Sequence, residues 1–183
     1  TEEPGAAGLS TTLLARAQTL FSWRRCRDAH VAALLAARAG LDTVPLYLQL
    51  GWSSFVLGAI EESERWMRAA VASAGDDWTP HFNLAVVLHA QKRTYEAIAS
   101  YRRALAINGG DFDSHLGLGR CYFDAGMHAD AEAQFRIATT LDPGRAAAWE
   151  HLGTAIGRRG RFDEALVPIA HALQLANSGP DDD

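Results

Sequence analysis

The stretch FDSHLGLGRCYFDAGMHADAEAQFRIATTLDPGR, residues 112–145, reads as two helices joined by a tight turn. Apolar or small residues return at helical spacing at Leu116, Leu118, Gly119, Tyr122 and Phe123, and a second stripe follows at Ala131, Phe135 and Ala138. Gly126 allows the chain to reverse between them without a Cβ clash, and Asp142 with Pro143 punctuates the end. The pattern does not stop there. Alanine recurs every 34 residues at Ala36, Ala70, Ala104, Ala138 and Ala172. Two further small positions keep the same register: Ala29, Ser63, Ala97, Ala131 and Ala165, and Ala17, Gly51, Ala85, Gly119 and Gly153. Helices pack closely where side chains are this small, so a fixed period makes one contact available at every junction. The expectation is an all-α stack of helical hairpins, in which each layer touches mainly the next.

This spacing resembles the tetratricopeptide repeat, a 34-residue unit of two antiparallel helices. In 112–145 the signature positions hold Leu118, Gly119, Tyr122, Gly126, Ala131, Phe135, Ala138 and Pro143; in 146–179 they hold Trp149, Leu152, Gly153, Gly160, Phe162, Ala165 and Ala172. Unit 78–111 retains Leu84, Ala85, Ala97, Tyr101 and Ala104 but has Lys92 where glycine usually turns the chain. Units 44–77 and 10–43 are more degenerate, with Ser54 and Ser63 in one and Arg16 and Arg24 in the other replacing family residues. The resemblance implies a right-handed superhelical solenoid of five units over 10–179. A lead at 1–9 and an acidic tail at 180–183 flank it. The missing initiator methionine and the stop soon after the fifth unit read as a region excised from a longer polypeptide.

Composition narrows the function. With 48% apolar residues the hairpins can bury a continuous ribbon, and a formal charge of −5 speaks against a general nucleic-acid or anionic-membrane surface. No apolar run reaches membrane-spanning length, Cys26 and Cys121 lie too far apart in an ordered stack to pair, and a cytoplasmic location is expected. Seven histidines are scattered without metal-ligand spacing, and His81 and His115, one period apart, read as equivalent packing positions. No metal, cofactor or catalysis is expected of the isolated chain. Pro168, inside the last helical stripe, is a candidate bend.

The resemblance implies a concave face formed by the first helices, and therefore a scaffold that binds a peptide or helical segment of a partner protein. Family inward positions fall at Trp52, Phe55, Phe82, Val86 and His89, then at Arg120, Phe123, Glu150 and Arg158. Trp52, Phe55 and Phe82 are the expected anchors, because rigid rings bury much area at little entropic cost, although the same rings would also serve to close the core. Arg120 and Arg158 suit carboxylates or carbonyls, and Glu150 suits a donor-rich flank. Phe82 and Val86 stand where the family's carboxylate clamp needs polar groups, so an internal segment is the expected ligand. The alternatives are homo-oligomerisation, through an end face or a convex patch at Trp66 and Met67, and acceptor capture for a larger enzyme. The latter resembles the repeat arrays that precede some glycosyltransferase domains.

Overall fold

The computed structural model describes residues 6–177, and every regular element among them is helical. The order is α1 (Ala6–Ser22), α2 (Cys26–Arg38), α3 (Val44–Val56), α4 (Ile60–Ser73), α5 (Thr79–Ala90), α6 (Thr94–Ile107), α7 (Phe112–Asp124), α8 (His128–Leu141), α9 (Ala146–Arg158) and α10 (Phe162–Asn177). Four of the stretch expected as a lead, Ala6–Leu9, belong to α1 instead; residues 1–5 and the tail at 180–183 lie outside the described residues. α10 continues through the buried Pro168.

The chain forms two compact units, divided between Gln91 and Lys92. In the first, α1 packs on α2 and α3 on α4, while α2 meets α3, α4 meets α5, and the first helices α1, α3 and α5 lie side by side. In the second, α7 packs on α8 and α9 on α10, α6 meets α7, α8 meets α9, and α7 lies beside α9.

The small-residue register explains this packing. Each of the fifteen positions is buried, including Gly51, Gly119 and Gly153. Those three glycines do one job. A Cβ on Gly51 would stand 2.6 Å from Met67 Cε, one on Gly119 would stand 2.5 Å from a Phe135 ring carbon, and one on Gly153 would stand 2.5 Å from Ile169 Cγ1. In each pair the second helix drops a large side chain into the space that the first helix leaves.

The turns repeat as faithfully. Arg24, Gly58, Lys92, Gly126 and Gly160, spaced 34 residues apart, have φ of 59°, 82°, 63°, 76° and 79°. After Gly58, Gly126 and Gly160 the next amide reaches back to a carbonyl in the preceding turn, Ala59 N to Ser54 O at 2.9 Å and Met127 N to Tyr122 O at 2.9 Å, for example. This left-handed cap closes the helix end. Elsewhere, Asp111 caps α7 by accepting from Ser114 N at 2.7 Å, and proline opens α3 and α5.

Buried polar groups tie neighbouring pairs together. Glu132 on α8 accepts from Arg136 of its own helix, from Arg159, and from Arg161 at 3.0 Å. Burial opposes its ionisation, but the bonds from Arg136 and Arg159 and the charge of Arg161 outweigh it and hold the carboxyl below its ordinary value. Both ring nitrogens of buried His115 are engaged, Nδ1 with Gln134 at 2.8 Å and Nε2 with Gly109 O at 3.1 Å, the packing role expected for it. Cys26 and Cys121 are free; burial pushes the Cys121 thiol up to about 12.

Candidate functional site

In the first unit the expected aromatic anchors occupy neighbouring helices. Trp52 and Phe55, one turn apart on α3, meet edge to face with centroids 5.5 Å apart and planes at 82°. Phe82 on α5 makes a similar contact with Trp78, at 6.0 Å and 68°. All four rings, with Val86 and His89 further along α5, are half-buried. They are neither sealed in the core nor free of it, and each pair is stiffened by its own ring contact. Trp78 was missed in the sequence because it immediately precedes α5, outside the helical stripe.

The convex patch expected at Trp66 and Met67 needs correction. Met67 is fully buried, because its thioether fills the space beside Gly51. It offers no surface to another molecule while the fold is intact. Trp66 is half-buried, stacks on Tyr47 with centroids 5.9 Å apart, and its indole Nε1 donates to Glu62 at 3.3 Å.

In the second unit α7, α8 and α9 enclose a cavity of about 230 Å³ lined by Arg120, Phe123, Asp124, Phe135, His151 and Thr154. The helical repeat sets this up: Arg120, Phe123 and Asp124 share one face of α7, His151 and Thr154 one face of α9, and Phe135 reaches through from α8 beside Gly119. The His151 ring lies on Phe135, with centroids 5.3 Å apart and planes at 23°, and the Arg158 guanidinium sits over Phe123 at 6.0 Å. The Thr154 hydroxyl donates to Glu150 O at 2.9 Å, leaving its oxygen able to accept. Of the residues expected on the inner face, Arg120 and Phe123 line the cavity together with Asp124, Phe135, His151 and Thr154, while Arg158 lies over Phe123 and Glu150 contributes its carbonyl to Thr154. His151 carried no signal of its own, since it reaches the cavity only because α8 and α9 pack together.

The charges here are arranged differently from those in the core. Arg136, Arg159 and Arg161 are spent on Glu132, whereas Arg120, Arg158 and Glu150 make no ion pair among the described residues. Burial, then the nearby Arg120 charge, lowers the His151 pKa, against a smaller opposing pull from Glu150. The shift favours the neutral imidazole, and the charged groups of the lining are Arg120 and Asp124, with Arg158 nearby over Phe123. Among the described residues no group of three or more His, Cys, Asp or Glu side chains could hold a metal ion, and no helix is long and apolar enough to cross a membrane.

Comparison with known structures finds the same fold. A crystal structure of MamA protein superposes with a TM-score of 0.83 at 20% identity, covering 94% of this chain and 97% of that one. MamA from Desulfovibrio magneticus RS-1, from residue 41 to its end, gives 0.86 at 16% identity with the same coverages. YrrB, described as a TPR protein with an unusual peptide-binding site, gives 0.76 at 21% identity over 91% of this chain and 86% of its own. Identities this low carry the fold alone. No curated protein matches the chain. Two family models, both described as tetratricopeptide repeat, match residues 48–112 and 88–156. The matched residues, 48–156, span more than half of the sequence and hold ten of the fifteen buried small positions and the left-handed turns at Gly58, Lys92 and Gly126, and the chain belongs to the tetratricopeptide-repeat family.

Proposed function

We propose that this chain is a recruiting module of five 34-residue repeats that binds a segment of a partner protein and performs no chemistry of its own. The observation that carries the reading is the cavity of the second unit. A space of about 230 Å³ lined by Phe123, Phe135 and His151 suits one large apolar side chain, and the guanidinium groups of Arg120, which lines it with Asp124, and of Arg158, over Phe123, suit carboxylates and outnumber the one carboxylate of the lining. The ligand of this site is therefore an acidic segment with an aromatic or large aliphatic residue at its centre. Trp52, Phe55, Phe82, Val86 and His89 give the first unit a half-buried apolar face for a further part of such a partner. The peptide-binding site attributed to YrrB, a protein of the same fold, supports the same reading by analogy.

The test uses fluorescein-labelled Gly-Ser-Asp-Phe-Asp-Ser-Gly and its Lys-Phe-Lys counterpart in anisotropy titrations against the whole chain. The acidic probe is expected to bind, to weaken with added salt, and to lose at least tenfold in affinity in R120A/R158A. Binding also brings carboxylate charge beside His151 and so raises its NMR titration midpoint. Equal binding of both probes, or acidic-probe binding indifferent to the two arginines, would reject the site.

A further inference from the structure

Two histidines of the second unit are served differently by their surroundings. His115, 7% exposed, has both ring nitrogens engaged, by Gln134 and by Gly109 O. His151 is half-buried, and neither of its nitrogens has a hydrogen-bond partner among the described residues. One face of its ring is taken by Phe135, with the planes at 23°, so the polar edge is what the imidazole still offers. That edge is not sealed inside the protein, and His151 is a lining residue of the cavity between α7, α8 and α9.

The lining is graded from inside to outside. Phe135 is 1% exposed, Phe123 and His151 are half-buried, and Arg120, Asp124 and Thr154 are exposed. A side chain that enters passes the charged and hydroxyl groups first and brings its tip among two phenyl rings and the imidazole edge. Burial, ahead of the Arg120 charge, favours the neutral imidazole, which presents one donor and one acceptor nitrogen. An anchor with an apolar tip strips water from those nitrogens and returns no hydrogen bond. A hydroxyl returns one whichever tautomer is present, because it both donates and accepts. The indole N–H of a tryptophan only donates, and a serine or threonine leaves the phenyl rings uncovered. Of the standard side chains only tyrosine sets a hydroxyl at the far end of an aromatic body.

On the reading of this cavity as the anchor site of an acidic segment, we propose that the anchor is a tyrosine, its ring against Phe123 and Phe135 and its hydroxyl hydrogen-bonded to His151. His151 is then the residue that sets specificity at the site, while Arg120 and Arg158 serve the acidic residues on either side of the tyrosine. A site that bonds a hydroxyl rejects the analogue lacking it far more strongly than an apolar pocket rejects a small change in size. The partner is accordingly a protein segment in which a tyrosine stands between acidic residues.

The test titrates fluorescein-labelled Gly-Ser-Asp-Tyr-Asp-Ser-Gly against the whole chain in anisotropy, beside two probes with phenylalanine or 4-methylphenylalanine at the centre. The last matches tyrosine in size and carries a methyl group in place of the hydroxyl. The tyrosine probe is expected to bind about tenfold tighter or more than either, and H151F, which keeps a ring on Phe135, to bind all three alike. Comparison of the probes on the wild-type chain needs no variant, so it decides even where H151F loses its helical circular dichroism. Equal binding of the tyrosine and 4-methylphenylalanine probes, still weakened by R120A/R158A, would overturn the tyrosine and leave the cavity as the site of an acidic segment. A tyrosine preference that persists in folded H151F would overturn the role of His151. Failure of all three probes to bind would overturn both the anchor and the site.

Discussion

The Phe135 ring fills the space that a methyl group on Gly119 would need, with a ring carbon only 2.5 Å from where that methyl would stand. Two effects compete in Gly119→Ala. Helix propensity favours alanine by roughly 0.5–1 kcal/mol, and overpacking costs about 1–3 kcal/mol. Phe135 is fully buried, so the ring cannot swing into solvent and the clash wins. G119A is expected to lower stability by about 1–2 kcal/mol in urea titrations, and F135L in the same chain to cost less than the two changes summed. Gly157 on the neighbouring α9 is the control. A Cβ there meets only Ala165 Cβ at 3.8 Å, so G157A is expected to stabilise by about 0.5 kcal/mol.

Arg24 and Lys92 sit in the left-handed conformation that glycine holds at the three equivalent turns. A side chain there costs about 1–2 kcal/mol, part of which glycine returns through greater freedom in the unfolded chain. R24G and K92G are each expected to stabilise by about 0.5–1 kcal/mol, read as a raised melting temperature. G126A and G160A, with open space around the new methyl, are expected to lose about 1 kcal/mol through the backbone alone.

Glu132 should make stability depend on acid. Its carboxyl titrates below the ordinary value in the folded state, so the unfolded chain takes up the proton first. The stability it contributes is fully present above the ordinary carboxylate pKa and is lost as pH falls through the lower folded value. E132Q is expected to cost about 1–2 kcal/mol at pH 7, a modest sum because Arg136, Arg159 and Arg161 can return to water. The difference between variant and wild type should shrink as pH drops from 5 towards 3, measured by urea unfolding at each pH. A constant difference would assign the loss to packing.

Much of the fold was legible along the chain because the information is local and repeated. A small residue every 34 positions, a turn residue at a fixed offset and apolar stripes at helical spacing all concern neighbours within one or two turns of helix, and all fifteen small positions are buried. The register also locates Arg24 and Lys92 as exceptions to the glycine turn, and the structure gives them the glycine conformation regardless. Tertiary packing of the flanking helices outweighs the local penalty.

What the sequence by itself determined is therefore the all-helical repeat, its register, and which helix faces hold Arg120, Phe123 and Arg158. Which side chains share a cavity, and which are hidden, was decided only in three dimensions. His151 lies on Phe135 and Met67 is lost beneath Gly51 because residues in different helices meet through packing, a relation that linear spacing does not encode. The same holds for charge. Arg136, Arg159 and Arg161 look no different in sequence from Arg120 and Arg158, but the first three converge on Glu132 and the other two remain uncommitted beside an aromatic cavity. An ion pair forms wherever folding brings opposite charges within a few ångströms, and that distance exists only once the helices have stacked.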